Sequence, residues 1–228
     1  MKSLFILVIT AFISSALFAQ TETRNLSDFT SISVSAGIEV YLDSDQKNFA
    51  VVTVEKTDLD DLITEVKNGT LVIKWKKDNV GWSKREAEVV LHYTNIEGID
   101  ASSGATVEGD DILESNRLKI STSSGANIEL KIKTTDLSVD VSSGAAVTLS
   151  GSTNSQDVDV SSGASYKAGD LISSSADVDG SSGAMALIHT TQKLSADVSS
   201  GAVIKYKGNP TEKDLDQDKW SGGVIRKN

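Results

Sequence analysis

Residues 138–149 read Ser-Val-Asp-Val-Ser-Ser-Gly-Ala-Ala-Val-Thr-Leu, and this stretch contains the unit from which the second half of the chain is built. Its central Ser-Ser-Gly-Ala tetrapeptide occurs six times, with successive glycines 21, 19, 19, 20 and 18 residues apart. Recurrence at a nearly constant period is typical of one small structural unit that stacks on copies of itself. The glycines of the six copies are Gly104, Gly125, Gly144, Gly163, Gly183 and Gly201.

Residues on both sides of each glycine alternate between apolar and polar, with the period of two that a β-strand requires. In the copy quoted above, Val139 and Val141 share one side of a strand, while Asp140 between them faces the other side. The alternation resumes after the glycine with Val147 and Leu149. A constant offset between equivalent strands favours parallel stacking about 4.8 Å apart. The pattern therefore predicts an all-β chain, a parallel β-helix with coils of about 20 residues.

The Ser-Ser-Gly-Ala tetrapeptide is predicted to form a corner in each coil. Glycine reaches positive φ without a Cβ clash, and alanine fits where a sharp bend leaves little interior room. The paired serines are expected to hydrogen-bond to the backbone at the corner and to their neighbours in adjacent coils.

The chain divides into segments of different composition. Lys2, a short apolar run and a small residue before Gln20 form the pattern of a secretory signal peptide. Two signals follow it: Ser35-Ala36-Gly37 is a degenerate copy of the corner, and Asn68-Gly69 predicts a hairpin. The predicted segments are a signal peptide (1–19), an irregular β-rich N-terminal cap (20–99), the repeat β-helix (100–208) and a C-terminal cap (209–228), the last three forming one structural domain.

The chain is acidic, with a formal net charge of −10, and it contains no cysteine. An acidic surface disfavours nucleic acid and anionic lipid headgroups as partners. Without disulfides, burial must hold the fold. No second apolar stretch reaches transmembrane length, so no membrane span is expected in the mature chain. We expect an exported protein that resides in the periplasm, at the cell surface or outside the cell.

Three features together resemble one protein family: the Ser-Ser-Gly-Ala repeat, the opening Phe29-x-x-Ile32-x-Val34-x-x-Gly37-Ile38-x-Val40, and the Asn68-Gly69-Thr70-Leu71-x-Ile73 segment. They are similar to the putative auto-transporter adhesin, head GIN domain family. The resemblance covers essentially the whole mature chain. It implies a right-handed parallel β-helix in an exported protein of Bacteroidetes-type bacteria, and it supplies no catalytic residues.

One column of aspartates is a candidate cation site. Like charges that recur about 4.8 Å apart raise each other's pKa or attract a cation, and calcium accepts several oxygen ligands. The column therefore predicts a calcium ladder, and the alternative is a solvated face whose charges discourage aggregation. No other cofactor is expected. The members of the column are Asp140, Asp159, Asp179 and Asp197.

Two tryptophans form a second candidate site. Trp75 and Trp82 flank a charged stretch, and an exposed pair would stack on sugar rings. The alternative is that tryptophan covers the end of the core with one edge in water.

No catalytic signature accompanies the repeat. We therefore expect a non-enzymatic protein that presents a repetitive surface for binding or adhesion to a cell-surface glycan or protein. Self-association through the ends of the solenoid is a further expected interaction. Two alternatives stay open: a structural or envelope-stress protein without a tight ligand, and a polysaccharide-acting enzyme of the pectate-lyase-like type.

Overall fold

The structure, a computed structural model, describes residues 19–76, 85–217 and 222–228. Residues 1–18 of the predicted signal peptide and Trp82 lie outside the described residues. The strands form one 16-stranded sheet that winds into a solenoid of about seven turns, with coils of about 19 residues. The predicted parallel β-helix is confirmed.

The bounds of the strands follow the alternation seen in the sequence. A 3-10 turn, Leu59–Asp61, interrupts them before the fifth strand. In chain order the strands are β1 (Gln20–Asn25), β2 (Ser31–Ser35), β3 (Glu39–Ser44), β4 (Phe49–Glu55), β5 (Leu62–Lys67), β6 (Thr70–Trp75), β7 (Glu86–Tyr93), β8 (Gly98–Ser102), β9 (Thr106–Thr122), β10 (Asn127–Val141), β11 (Ala146–Val160), β12 (Ser165–Gly180), β13 (Met185–Val198), β14 (Val203–Lys207), β15 (Glu212–Gln217) and β16 (Val224–Lys227).

The long strands β9 to β13 pair in parallel in chain order, and each forms most of one coil. Equivalent residues lie side by side: Val139 pairs with Val158, which pairs with Val178. All three valines are buried. Burying a valine stabilises the fold by about 1.5–3 kcal/mol, so the stacked apolar columns supply the interior that no single coil could close.

Each Ser-Ser-Gly-Ala corner is a turn in which both central residues have positive φ. At one corner φ is 53° for Ser143 and 71° for Gly144, and the Ala145 amide donates to the Ser142 carbonyl at 3.1 Å. Positive φ at both positions defines a type I′ turn. The Gly144 amide then donates to the carbonyl of Ser162 in the next coil at 3.1 Å.

The expected role of the serine side chains is wrong. Among the described residues, the corner serine hydroxyls make no hydrogen bond, and the backbone joins one corner to the next. The second serine of each corner is instead one of the two left-handed residues of the turn, a conformation that costs a residue with a Cβ about 1–2 kcal/mol.

A second bend in each coil is lined from inside by hydroxyl groups. The Thr153 hydroxyl lies 2.8 Å from the Ser155 carbonyl oxygen and 3.2 Å from that of Thr135, so its single proton is donated to one of them or shared between both. Such bonds satisfy carbonyls that the bend would otherwise leave buried without a partner. Equivalent inward positions of successive coils are Thr134, Thr153, Ser173 and Thr190.

A chain of hydrogen-bonded polar side chains crosses the interior of the repeat. Tyr166 is fully buried, and its hydroxyl donates to Gln156 Oε1 at 3.1 Å. Gln156 Nε2 donates to Ser173 Oγ at 2.8 Å, and Ser173 Oγ donates to the His189 carbonyl at 2.9 Å. Every member has a partner, as buried polar groups require.

The first coil of the chain is not the first coil of the stack. Strand β2 pairs in parallel with both β6 and β8, and β3 pairs with both β7 and β9. The coil of β2 and β3 therefore lies between the coil of β6 and β7 and the coil of β8 and β9. Its corner is Ala36 (φ 63°) and Gly37 (φ 70°), so the predicted degenerate corner is confirmed.

Antiparallel strands close the N-terminal end of the stack. Strand β4 pairs with β7, β1 with β4, and β5 with β6 across the predicted Asn68-Gly69 hairpin. Arg24 in β1 donates to the Leu62 carbonyl at 2.6 Å and to the Leu59 carbonyl at 2.7 Å. At the other end, Gln217 in β15 donates to the Gly223 carbonyl at 2.8 Å, which joins the two final strands, β15 and β16.

Candidate ligand-binding groove

The predicted aspartate ladder lies on the outer face formed by the strand residues that precede each corner. Asp140 pairs with Asp159, Asp159 with Asp179, and Asp179 with Asp197. A second acidic column runs beside it, where Asp157 pairs with Asp177. The register is as predicted, so carboxylates of neighbouring coils stand opposite one another.

Crowding perturbs the carboxyl groups in the middle of this ladder. Partial burial, followed by the charges of Asp140 and Asp157, raises the pKa of Asp159. Partial burial, followed by the charge of Asp159, likewise raises the pKa of Asp179. Within the described residues no group of three or more histidines, cysteines and acidic residues is arranged to hold a metal ion. Binding of calcium to the ladder stays a prediction.

Trp75 is the last residue of β6 and is half-buried against the core. Its indole N–H donates to the Ala36 carbonyl at 3.1 Å, and the Arg85 guanidinium lies 5.0 Å from the ring centroid. These contacts fit the alternative that tryptophan covers the core. Stacking of Trp75 on a sugar stays a prediction, and Trp82 lies outside the described residues.

A groove of about 520 Å³ crosses the outer face of the strands that follow the corners. The half-buried Leu187 forms its apolar floor together with the small exposed parts of the core residues Leu130 and Leu149, which are 3% and 2% exposed. We call it the β9–β13 groove, and its further lining residues are Tyr41, Glu108, Gly109, Asp110, Glu129, Lys131, Thr148, Ser150, Lys167, Gly169, Asp170 and Lys207.

Irregular pairing of the strands creates this groove. Leu130 pairs with Gly109, but the next residue, Lys131, pairs with Ile112, so β9 carries extra residues at this point. Strands β11 and β12 shift register at the same level, after Thr148. Such bulges bend a strand and redirect its side chains. Sequence reasoning missed the groove, although the unequal spacing of the glycines was a signal that some coils hold extra residues.

Glycine keeps the C-terminal half of the groove open. A Cβ on Gly169 would lie 2.9 Å from Leu187 Cδ2 and 3.1 Å from Lys207 Nζ. Lys207 Nζ in turn lies 3.2 Å from Asp170 Oδ1, which holds the ammonium at the groove wall. A side chain at position 169 would therefore displace these neighbours into the groove.

The N-terminal end of the groove presents a phenol and a carboxylate together. The Tyr41 hydroxyl donates to Asp110 Oδ2, and this bond is the main reason why the pKa of Tyr41 is raised. The phenol is therefore protonated at neutral pH and is fixed in direction. The groove thus combines an apolar floor, an oriented aromatic ring, and carboxylate and ammonium groups along its walls.

The fold and the groove together define a class: a β-solenoid that carries a concave surface of mixed polar and apolar character. The chain belongs to the family described as putative auto-transporter adhesin, head GIN domain, whose model matches residues 28–210. The resemblance seen in the sequence is confirmed. No curated protein matches the chain in sequence.

Solved structures share the fold at low sequence identity. A putative adhesin from Bacteroides fragilis NCTC 9343 has a TM-score of 0.84 at 18% identity, covering 92% of this chain and 97% of the other. A putative adhesin from Parabacteroides merdae ATCC 43184 has a TM-score of 0.74 at 17% identity, covering 92% and 96%. One from Parabacteroides distasonis ATCC 8503 has a TM-score of 0.74 at 18% identity, covering 92% and 97%. In the part of this chain that the structure describes, no helix has the length and apolar character to cross a bilayer.

Proposed function

We propose that the protein is an exported, non-enzymatic adhesin that binds a carbohydrate chain in the β9–β13 groove. Family membership supports the adhesive role. The observation that carries the carbohydrate assignment is the pairing of Tyr41 with Asp110 at the end of an apolar-floored groove.

The chemistry of the groove matches that of a sugar. A pyranose ring has an apolar C–H face that packs on an aromatic ring, and its hydroxyls both donate and accept hydrogen bonds. Tyr41 offers the ring, Asp110 and Glu129 accept hydrogen bonds, and Lys131 and Lys167 donate them. Small-molecule sites combine apolar surface with polar groups that fix the orientation of the ligand, and this groove has both, with polar lining residues in the majority.

The rigidity of the scaffold supports binding. The groove residues stand on paired strands of adjacent coils, so their backbone is already ordered before a ligand arrives. A preformed surface loses little conformational entropy on binding. An elongated groove across several coils also fits an extended chain better than a compact ligand.

A glycan array probed with the mature protein tests this assignment. We expect binding that Tyr41→Ala removes and that Trp75→Phe, at the other candidate aromatic site, leaves intact. If Trp75→Phe abolished glycan binding and Tyr41→Ala retained it, the carbohydrate site would lie at Trp75 in the N-terminal cap instead.

The same samples discriminate between the alternative functions. Release of shortened products from a bound polysaccharide would identify an enzyme and contradict the proposal. A blank array together with concentration-dependent assembly through the β15 and β16 end would favour a structural protein.

A further inference from the structure

Two outward-facing columns cross the C-terminal half of the β-helix on the same side as the groove. Their residues pair in register through β11, β12, β13, β14 and β16, and none of them is acidic. We call them the basic–apolar strip. The first column is Ala146, Ser165, Met185, Val203 and Val224, and the second is Thr148, Lys167, Leu187, Lys205 and Arg226. The neighbour of Thr148 on β10 is Glu129, which lies outside the strip.

The strip exposes apolar surface at one end of the stack. Met185 is 48% exposed and Val224 is 36% exposed, with Val203 half-buried between them. Each is in a strand, where an outward position next to water normally carries a polar side chain. Exposed apolar residues that adjoin one another, rather than scattered singly, mark a surface that another molecule covers.

Cations border this apolar surface. Lys167 and Arg226 are exposed and Lys205 is half-buried, and none of the three forms an ion pair with another described residue. The long aliphatic stem of a lysine or arginine packs along apolar surface while its charge reaches beyond it. The strip therefore carries positive charge above an apolar base.

The net charge of the chain conceals this arrangement. The acidic ladder, with Asp159 and Asp179 at its centre, lies on the face that precedes each corner, whereas the strip lies on the face that follows each corner. The net charge of −10 therefore does not describe the strip, although the same face also carries Glu108, Glu129 and Asp170 in the groove. The composition argument against anionic headgroups holds for the acidic face and not for the strip.

We propose that the basic–apolar strip docks flat on a lipid bilayer that contains anionic headgroups. Lys167, Lys205 and Arg226 meet headgroup phosphates, and Met185 and Val224 enter the boundary between headgroups and acyl chains. The acidic ladder then faces away from the bilayer. This inference goes beyond the carbohydrate assignment, because it concerns a different ligand and extends to Lys205 and Arg226, although the strip shares Thr148, Lys167 and Leu187 with the β9–β13 groove.

The dimensions of the strip favour a bilayer over a protein partner. Five strands at about 4.8 Å and two columns of side chains cover roughly 250–350 Å². A stable protein interface needs about 800 Å² on each partner. A bilayer needs no matching shape, and a few basic residues together with shallow apolar insertion bind it reversibly.

Vesicle co-sedimentation of the mature protein tests the proposal. We expect binding to vesicles of phosphatidylglycerol and phosphatidylcholine in roughly equal parts, and none to phosphatidylcholine alone. Raising the salt concentration should weaken binding, since exposed charges are screened. Lys167→Glu combined with Lys205→Glu and Arg226→Glu should lower the partition coefficient roughly tenfold or more.

A matched control separates the strip from net charge. Lys47→Glu combined with Lys74→Glu and Lys193→Glu changes the charge equally at exposed positions outside the strip, and should lower binding by less than roughly threefold. Met185→Ser with Val224→Ser should weaken binding at every salt concentration. Tyr41→Ala should leave vesicle binding unchanged, because the phenol lies in the groove and outside the strip, whereas Lys167 belongs to both.

Three results would overturn the proposal. The first is equal loss in the two triple variants, and the second is no binding to the anionic vesicles. The third is an oligomer of the wild-type protein, detected by light scattering, that becomes a monomer in the strip variant. The strip would then be covered by a second copy of the chain. Near-native circular dichroism and melting of each variant establish that the loss is not unfolding.

Discussion

The amide of Gly37 donates a hydrogen bond of 3.1 Å to the carbonyl oxygen of Ser103, and so joins the first coil of the chain to the first Ser-Ser-Gly-Ala corner. The same bond continues from each corner to the next, as from Gly125 to Ser143 at 3.2 Å. These bonds depend on turns with two left-handed residues, of which only the second is glycine. Stability should therefore respond in opposite directions to substitution at the two positions.

Replacing the glycine of a central corner should destabilise the protein. A Cβ on Gly144 would meet no atom within 4 Å, so Gly144→Ala introduces no clash. Its cost is that of a left-handed residue with a side chain, about 1–2 kcal/mol. Urea unfolding measures the change in the free energy of unfolding. An unchanged midpoint would mean that the corner relaxes to another turn.

Replacing the serine beside it should have the opposite effect. Asparagine followed by glycine is preferred in type I′ turns, so Ser143→Asn should stabilise the protein by roughly a few tenths of a kcal/mol. The same urea titration serves as the measurement. Ser142→Asn, one position earlier and outside the left-handed pair, is the matched control and should not stabilise.

The buried pair of Tyr166 and Gln156 should behave as a unit. Burial raises the pKa of Tyr166 far above its ordinary value, so its hydroxyl stays a donor. Tyr166→Phe leaves Gln156 Oε1 buried without its donor, which should cost about 1–3 kcal/mol. Adding Gln156→Leu should recover part of that loss, because Ser173 still donates to the His189 carbonyl. Strictly additive effects in the double-mutant cycle would contradict the coupling.

The aspartate ladder should make stability fall as pH rises. The folded state raises the pKa of Asp159 and Asp179, so between the unfolded value of about 3.9 and the folded value it binds more protons than the unfolded state. Stability is therefore higher at acidic pH and is lost as pH rises through the folded pKa. Asp159→Asn should stabilise the protein at neutral pH by about 0.2–1 kcal/mol, the size of a cross-strand charge effect.

Asp100→Asn is the matched control for this prediction. Asp100 faces the same side, but its in-register neighbours are Ser33 and Ser121 rather than carboxylates. Thermal melts of both variants across the acid range measure the difference. A similar gain in the two variants would show that repulsion within the ladder is not the cause.

If the ladder binds calcium, the midpoint of thermal unfolding should rise in millimolar calcium and should return to its original value when a chelator is added. A ligand at a hundred times its dissociation constant adds about 2.7 kcal/mol to stability. The rise should exceed that from sodium chloride of equal ionic strength, and should disappear in Asp159→Asn combined with Asp179→Asn. Equal shifts with both salts would indicate screening alone.

Arg24 should hold the outermost strand, β1, in place. Its guanidinium donates to the Leu59 and Leu62 carbonyls and to Thr64 Oγ1, the last at 3.2 Å. Arg24→Lys keeps the charge but not the planar set of donors, so β1 should lose amide protection. Hydrogen exchange of residues 20–25 measures this. Protection that equals the wild type would mean that pairing with β4 is sufficient.

How far the sequence predicts this molecule depends on which interactions are local. The apolar and polar columns around each glycine follow from the period of a strand. In the structure Val139 is buried and Asp140 faces outward, as expected. The inward Thr153 was missed because its role depends on a bend that no turn motif marks. The groove was missed because it depends on how the longer strand β9 pairs with Leu130 and Lys131 of β10, and the position of the extra residues is not marked by a turn motif.

The position of the β2–β3 coil in the stack could not be predicted from the sequence for a similar reason. The pattern shows that Ala36 and Gly37 form a corner, but not which coils lie on either side. Strand β2 pairs with β6 and β8 at once, although several other coils have a similar sequence pattern. Trp75 illustrates the same limit, since its contact with the Ala36 carbonyl exists only in that order of coils.

This interleaved order of coils has a consequence for how the chain acquires its shape. A stack that grows one coil at a time from the start of the chain is impossible here, since the β2–β3 coil needs partners on both sides that follow it in the chain. Its neighbours are complete only after β9 has been synthesised. The β2–β3 coil is synthesised first but has no neighbouring coil on either side until then. The regular repeats, in contrast, can each stack on the coil that precedes them in the chain. The slow step of folding is therefore expected at the N-terminal end, where contacts join residues far apart in the chain.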